Sequence, residues 1–149
     1  MNDSNANPRG SPRSLIGLAV PLAVRATYRD TDQMGMVYYA NYFVWFEQGR
    51  TEWLRAQGIT YRRMEEMGIF LPVTYCQCRY LKPVRYDDLV TVSTRLENLT
   101  PATLVFYYEV RIEGEQNLLA EGTSKHAFMD KDGKIQKVNL QNLLRSPGV

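Results

Sequence analysis

The spacing of hydrophobic residues changes once along the chain and divides it into a helical part and a strand-rich part. From residue 41 to 57 apolar side chains recur at helical spacing, which predicts one long helix that ends at Gly58. Residues 61–67 predict a short second helix. Beyond residue 69 apolar and polar positions alternate, as they do on half-buried strands. The predicted strands are residues 22–29, 69–80, 88–97, 103–112 and 117–129, with 134–138 as a candidate sixth strand.

This order of elements predicts an α+β domain, in which an antiparallel sheet curls round the long helix. Gly49 in the middle of that helix costs about 1 kcal/mol relative to alanine, so it indicates a close backbone approach. One sheet covers only one side of the helix, and we expect the remaining aromatic surface to pack against a second copy of the chain. The large apolar side chains at helical spacing are Phe43, Phe46, Trp53 and Leu54.

We expect one domain over residues 21–140, with a disordered tail over 1–20 and a C-terminal tail over 141–149. Residues 1–14 are rich in Asn, Ser, Pro, Gly and Arg, a composition typical of disorder. Residues 15–24 resemble a signal-peptide core, but Pro21 interrupts them and no small-residue cleavage site follows. A run of about ten residues is too short to cross a bilayer. We therefore expect no membrane span and a cytoplasmic protein.

Composition and charge disfavour several classes of function. Of the 149 residues, 44% are hydrophobic and 23% are charged, and the formal net charge is +2. That charge is too small to predict nucleic-acid binding. The single histidine, His126, and the two cysteines do not match a usual zinc ligand pattern, so no metal or other cofactor is predicted. Cys76 and Cys78 lie two positions apart on one predicted strand, and we expect free structural thiols.

The strongest chemical signal is a pair of carboxylates directly before the long helix. Asp30 and Asp32 follow the first predicted strand, Gly35 allows a tight turn after them, and the helix starts near Asn41. Free N–H groups at a helix N-terminus stabilise developing negative charge, and a carboxylate beside them can attack a carbonyl group or activate water. We therefore predict an acyl-transfer site in which Asp32 reacts and Asp30 hydrogen bonds the loop backbone.

The residues around this carboxylate pair resemble a known family. Residues 30–42 read D-T-D-x-M-G-M-V-Y-Y-A-N-Y, F-E-x-G-R follows on the helix, and residues 81–88 read L-K-P-V-R-Y-D-D. Over residues 24–129 the chain resembles the hotdog-fold acyl-CoA thioesterases, in particular their 4-hydroxybenzoyl-CoA thioesterase and YbgC-like branch. The resemblance implies a hotdog fold, a homodimer in which two sheets join, active sites at the dimer interface, and pairing of dimers into a homotetramer.

The resemblance also implies roles for single residues. Asp32 matches the catalytic aspartate of the family, acting as a nucleophile or as a general base. The backbone N–H of Tyr39 matches the group that polarises the thioester carbonyl, although many YbgC-like members carry histidine at this position. Substrate-binding residues are expected on or beside the helix. They are Tyr38, Asn41, Tyr42 and Glu47.

Several of these residues also have simpler interpretations. Asn41 can cap the helix, and Glu47 can form an ion pair with Arg50 three positions along it. The anionic end of CoA requires nearby cations. The candidates are Arg62, Arg63, Arg79, Lys82, Arg85 and Lys125.

The predicted activity is hydrolysis of acyl-CoA thioesters to a free carboxylic acid and CoA. Two alternatives stay open at this point: hydrolysis of acyl carrier protein thioesters, and non-catalytic acyl-CoA binding by a hotdog protein. A hotdog hydratase or dehydratase is disfavoured because those relatives use a catalytic histidine in a different motif. The aromatic lining suits an aryl, a branched or a medium-length acyl group.

Overall fold

The computed structural model describes residues 14–144, in which a five-stranded antiparallel sheet wraps around one long helix. The order of the strands is β1-β3-β4-β5-β2, so β1 and β2 form the two edges. The α+β architecture predicted from the sequence is confirmed. The strands are β1 (Ala19–Arg25), β2 (Val73–Tyr80), β3 (Leu89–Leu99), β4 (Thr103–Ile112) and β5 (Leu118–Ala127), and the helices are α1 (Asn41–Ala56), α2 (Tyr61–Glu66) and α3 (Leu140–Leu143).

Alternation along the two central strands fixes which face of the sheet meets the helix. Every second residue is buried from Val90 to Leu96 of β3 and from Leu104 to Val110 of β4, while the residues between them are partly exposed. This is the period-two pattern predicted from the sequence. The buried side chains form the part of the core that the sheet contributes. The buried side chains of these strands are Val90, Val92, Thr94, Leu96, Leu104, Phe106, Tyr108 and Val110.

The helix α1 buries most of its aromatic side chains in the chain's own core, and Phe43 packs partly buried against it. The ring of Phe46 stacks on Tyr108 with 4.3 Å between the ring centroids, and Trp53 is completely buried. The prediction that α1 leaves aromatic surface open for a partner is therefore wrong. The sheet curves far enough to cover these rings, and the exposed side of α1 carries Val44, Glu47 and Gln48 instead.

The close approach predicted at Gly49 is confirmed. A Cβ atom at this position would overlap Thr94 Oγ1 of β3 and lie 3.3 Å from Val92 Cγ1. Gly122 on β5 has the same role on the sheet, because a Cβ atom there would overlap the ring of Phe46 on α1. Two glycines, one on the helix and one on the sheet, thus allow α1 to sit close to the strands.

Several element boundaries differ from the sequence prediction, and β2 begins at Val73 rather than at residue 69. The strand β1 begins three residues earlier and ends at Arg25, because residues 28–30 form a 3-10 turn. The candidate strand at residues 134–138 is not formed. Its N–H groups bond to separate segments, that of Gln136 to Phe128 and that of Val138 to Pro101, and so no ladder develops.

The chain ends of the described part are attached to the core. The N–H of Gly17 donates to Leu96 O, the indole N–H of Trp53 donates to Leu18 O, and Leu140 of α3 is buried. The predicted domain limits at residues 21 and 140 fall within β1 and at the start of α3. Most of the two predicted tails, residues 1–13 and 145–149, lies outside the described residues. No helix between residues 14 and 144 is long and apolar enough to span a membrane.

Candidate active site at the start of the long helix

A tight loop carries the carboxylate pair from β1 to the start of α1. The N–H of Asp32 donates to Met36 O over 2.8 Å and closes the loop. Gly35 provides the turn with a φ of +74°, a conformation that favours glycine. Just beyond it, the N–H of Val37 donates to Val84 O. The loop is therefore fixed at both ends by backbone hydrogen bonds.

Asp30 shapes this loop, as predicted. Its Oδ2 atom accepts hydrogen bonds from the N–H and the hydroxyl of Thr27, at 2.8 and 2.9 Å. Its carbonyl oxygen accepts from the N–H of Tyr38 and from Asn41 Nδ2, both at 2.8 Å. The prediction that Asn41 caps α1 is wrong: Ala40 is the N-cap residue, and the Asn41 amide is engaged by the Asp30 carbonyl.

Asp32 is held differently, because the loop uses only one of its two carboxylate oxygens. Oδ1 accepts from the N–H of Met34 at 2.8 Å and more weakly from the N–H of Met36 at 3.4 Å. Within residues 14–144, Oδ2 has no hydrogen-bond partner. The half-buried carboxylate is thus oriented by the loop and keeps one oxygen available for chemistry.

The first turn of α1 presents unpaired backbone donors, as helix N-termini do. Among the described residues, the N–H groups of Tyr39 and Ala40 have no acceptor. The carbonyl oxygen of Tyr39 accepts a 2.7 Å hydrogen bond from the hydroxyl of Tyr80, at the end of β2. This bond fixes the backbone beside the unpaired N–H groups.

Asp32 and Tyr39 line the same cavity, which has a volume of about 360 Å³. That size lies in the usual range for small-molecule sites. The rest of the wall is mostly apolar and comes from the loop, α1 and the segment after β2. It consists of Met34, Met36, Val37, Tyr42, Tyr80, Leu81, Lys82 and Pro83.

The aromatic wall of this cavity stays uncharged. Tyr42 is buried, and its ring meets Tyr80 edge-on with 4.9 Å between centroids. Burial raises the pKa of the Tyr42 phenol, which is therefore protonated at neutral pH. Burial also raises the pKa of the neighbouring Cys78 thiol to about 11, so this cysteine is not a reactive thiolate.

The comparison with known families decides where the chain belongs. The sequence model of the thioesterase-like superfamily matches residues 26–146, well over half of the chain. The chain belongs to this superfamily.

Individual relatives of this thioesterase-like protein agree with the family match. Acyl-CoA thioesterase YbgC of Haemophilus influenzae is 35% identical to it over 77% of this chain and 83% of the relative. The solved structure of a DHNA-CoA thioesterase from Staphylococcus aureus superimposes with a TM-score of 0.78 at 30% identity, covering 82% of each chain. A solved structure from Aquifex aeolicus superimposes with a TM-score of 0.77 at 34% identity, covering 83% of this chain and 96% of the other. The fold is the hotdog fold of thioesterases.

The structure brings together only part of the predicted site of the thioesterase-like protein. Asp32, Tyr39 and Tyr42 share the cavity. Tyr38 lies outside its lining and packs its half-exposed ring against Tyr39, 4.6 Å between centroids. Asn41 holds the loop rather than lining the cavity. A substrate-binding role for Tyr38 and Asn41 stays a prediction.

Glu47 lies in a different place from the cavity. It is exposed on α1 and lines a separate groove against residues 22–25 of β1. The ion pair predicted with Arg50 is not formed, because Arg50 is half-buried and its Nε donates to the hydroxyl of Tyr61 at 3.1 Å. The predicted contact of Glu47 with substrate also stays a prediction.

The candidate cations for CoA differ in whether a carboxylate already pairs with them. Arg62 and Arg63 pair with Glu66, and Arg79 pairs with Glu121. In the described part of the chain, Lys82 and Arg85 have no carboxylate partner for their side chains. Lys82 lines the cavity, and the backbone of Arg85 pairs with Met36 of the cavity wall. Lys125 lies over the ring of Tyr75 on β2.

His126 is structural. It is completely buried, with Nδ1 3.1 Å from Leu71 O and Nε2 2.7 Å from Ser124 Oγ. Because a carbonyl only accepts, Nδ1 carries the proton and Nε2 accepts from the serine hydroxyl. Ser124 then accepts from the hydroxyl of Tyr108. Burial, with a smaller effect of the Arg50 cation, lowers the pKa of His126 to about 4, so it is neutral in the fold.

Sequence reasoning missed Tyr80 as part of the site. It ends a strand 41 positions after Tyr39, and its hydroxyl is bound to a backbone carbonyl. No local motif encodes such a contact, although a tyrosine that ends an alternating strand is a weak signal. Within residues 14–144, no three His, Cys, Asp or Glu side chains cluster closely enough to hold a metal ion.

Proposed function

We propose that this protein hydrolyses acyl-CoA thioesters to a carboxylic acid and CoA. One observation carries the proposal: Asp32 and Tyr39 line one largely apolar cavity, and each has an atom without a protein partner in the described chain. The names of relatives at 30% identity or more, an acyl-CoA thioesterase and a DHNA-CoA thioesterase, support the same class of substrate.

In the proposed reaction, the thioester carbonyl oxygen accepts a hydrogen bond from the Tyr39 N–H, which stabilises the oxyanion as it forms. Asp32 Oδ2 either attacks the carbonyl carbon or removes a proton from the attacking water. The C–S bond then breaks, and CoA leaves as the thiolate. In the first route water hydrolyses the resulting anhydride. In the second route the tetrahedral intermediate collapses directly to the acid.

The proposed active form is a homodimer whose sheets join along β2, with further pairing into a tetramer. Support comes from β2, an edge strand whose side chains are almost all exposed. An unprotected edge strand is a template for pairing. The proposed compartment is the cytoplasm, which the free thiols of Cys76 and Cys78 support.

Replacing Asp32 tests this proposal. Asp32→Asn keeps an oxygen that can accept from the Met34 N–H but removes the negative charge. We expect kcat for acyl-CoA hydrolysis to fall by about 10²–10⁴-fold, the usual contribution of an acid–base group. Thiol release from a panel of aryl, branched and straight-chain acyl-CoAs measures the effect, and far-UV circular dichroism confirms the fold.

Asp30→Asn is the matched control, since it removes the same charge from the same loop. It weakens the hydrogen bonds to Thr27, so we expect a lower melting temperature with far more activity than Asp32→Asn retains. Equal turnover by Asp32→Asn and wild type would contradict the proposed role of Asp32. Tight acyl-CoA binding without thiol release in the wild type would instead indicate a binding protein.

A further inference from the structure

Two exposed tyrosines form an aromatic platform beside the candidate active site. The rings of Tyr28 and Tyr86 stack with 4.0 Å between centroids and an interplanar angle of 13°. Tyr28 is 77% exposed and Tyr86 43% exposed. A stacked aromatic pair with its outer surface open to solvent offers a flat face on which another aromatic ring can stack.

Backbone contacts join this platform to the catalytic loop. Tyr28 begins the 3-10 turn that ends at Asp30, two residues before Asp32. The N–H of Tyr86 donates to Gly35 O, and the neighbouring Arg85 pairs with Met36 of the cavity wall. The platform and the cavity are therefore both connected to one short, hydrogen-bonded loop.

The charges around the platform leave cations available for an anionic ligand. Arg29 and Arg85 each follow or precede a platform tyrosine in the sequence, and both are exposed. Among the described residues neither guanidinium has a partner, and Lys82 at the cavity is likewise unpaired.

Most carboxylates of the same region have at least one partner in the described chain. The carboxylate of Asp30 binds Thr27, that of Asp87 pairs with Arg25, and Asp88 accepts from the Arg85 N–H. Asp32, which lines the cavity, keeps one carboxylate oxygen without a partner in the described chain. The groups left to meet an anionic ligand at the platform are thus an aromatic face and the cations Arg29 and Arg85, with the exposed carboxylate of Asp87 beside Tyr86.

We infer that the Tyr28–Tyr86 platform, with Arg29 and Arg85, is the subsite for the adenosine 3′,5′-bisphosphate end of the acyl-CoA substrate. The adenine ring stacks on the open face of Tyr28, and the two guanidinium groups bind phosphate oxygens. This inference rests on the proposed function, because it places the far end of the same substrate. Lys82 lines the cavity, where the acyl end of the same substrate is proposed to bind.

Comparison of two substrates with the same acyl group tests the subsite. Acyl-CoA carries the nucleotide and acyl-pantetheine does not, so the ratio of their KM values measures what the nucleotide contributes. We expect Tyr28→Ala to reduce the advantage of acyl-CoA about tenfold, in line with the effect of removing an aromatic ring from under a base. Tyr28→Phe keeps the aromatic face, and we expect it to retain the wild-type ratio.

Direct titration with adenosine 3′,5′-bisphosphate tests the subsite without catalysis. Calorimetry is expected to show binding that weakens with salt and is reduced in Tyr28→Ala, Arg29→Gln and Arg85→Gln. Arg55→Gln is the charge-matched control, because Arg55 lies on α1 and pairs with Glu52. We expect this control to bind as wild type does.

The outcomes separate the subsite from the proposed function. An unchanged KM ratio in Tyr28→Ala, or bisphosphate binding that no platform variant weakens, overturns the subsite while hydrolysis by Asp32 stands. The subsite is also overturned if Tyr28→Ala changes the sedimentation coefficient but leaves bisphosphate binding unchanged. The platform is then a contact between copies of the chain. If the wild type hydrolyses neither substrate, the proposed function fails and the titration still decides the subsite.

Discussion

At the scale of single residues, hydrogen-bond partners decide what two nearby carboxylates can do. Asp30 and Asp32 are two positions apart, yet the Asp30 carboxylate accepts hydrogen bonds from Thr27. Asp32 keeps Oδ2 without a partner within the described chain. The sequence already predicted different roles for the two aspartates, because a glycine turn and a helix start follow Asp32. It did not reveal the reason for the separation, which lies in the partner atoms of each oxygen.

The buried histidine predicts a loss of stability in weak acid. The pKa of His126 is about 4 in the fold and near 6.5 ordinarily, so below pH 6.5 the unfolded chain takes up a proton that the folded chain does not. Stability is therefore expected to fall by about 3 kcal/mol between pH 6.5 and pH 4. Urea unfolding over this pH range measures the loss.

His126→Gln is the control for this prediction. It removes the titrating group but keeps a side-chain amide at the end of the Tyr108–Ser124 hydrogen bonds. We expect lower stability at neutral pH and a flatter dependence on pH below 6.5. Parallel profiles for the variant and the wild type would show that other groups cause the acid sensitivity.

At the scale of elements, periodicity located the helices and strands, and long-range contacts set their ends. The alternation in β3 and β4 and the helical spacing in α1 are local properties, so the sequence predicted them well. The position of Tyr80 against Tyr39 and the covering of the α1 aromatics depend on how the sheet curves. Neither the period nor the turn residues encode that curvature.

The crossing of α1 over β3 predicts an unusual response to alanine. Alanine is the better helix former, by about 1 kcal/mol over glycine, but a Cβ atom at Gly49 would overlap Thr94 Oγ1. We expect Gly49→Ala to lower the free energy of unfolding by about 1–3 kcal/mol, the usual cost of overpacking. Chemical denaturation measures the change, with Gln48→Ala at an exposed position of the same helix as control.

A second substitution tests the cause of that destabilisation. Thr94 Oγ1 is buried and has no hydrogen-bond partner among the described residues, so Thr94→Ala removes the clashing atom without breaking a hydrogen bond. We expect Thr94→Ala to restore part of the stability lost in Gly49→Ala, which a double-mutant cycle detects. Strict additivity of the two changes would place the strain elsewhere.

At the scale of the whole molecule, the two edges of the sheet differ in how they meet other chains. The edge strand β1 contains Pro21, and proline protects an edge because it has no N–H to donate. The edge strand β2 contains no proline and is exposed on both faces. This asymmetry favours β2 as the edge that pairs with a second copy.

Charge placed on each edge in turn tests the pairing. We expect the wild type to sediment as a dimer or tetramer and the double variant Val73→Asp/Tyr75→Asp to shift toward monomer, because like charges meet across the joined strands. The matched control is Ala19→Asp/Ala23→Asp on β1, which is expected to keep the wild-type assembly. A monomeric wild type, or dissociation only by the β1 variant, would contradict pairing through β2.

The burial of α1 also makes the protein a convenient optical probe of itself. Both tryptophans of the chain, Trp45 and Trp53, lie on this helix and are almost completely buried. Their emission therefore reports whether water has reached the helix. Because the Trp53 indole also bonds to Leu18 O, detachment of the segment before β1 alters the same signal, and the intrinsic fluorescence follows the interior of the wrapped sheet without any added label.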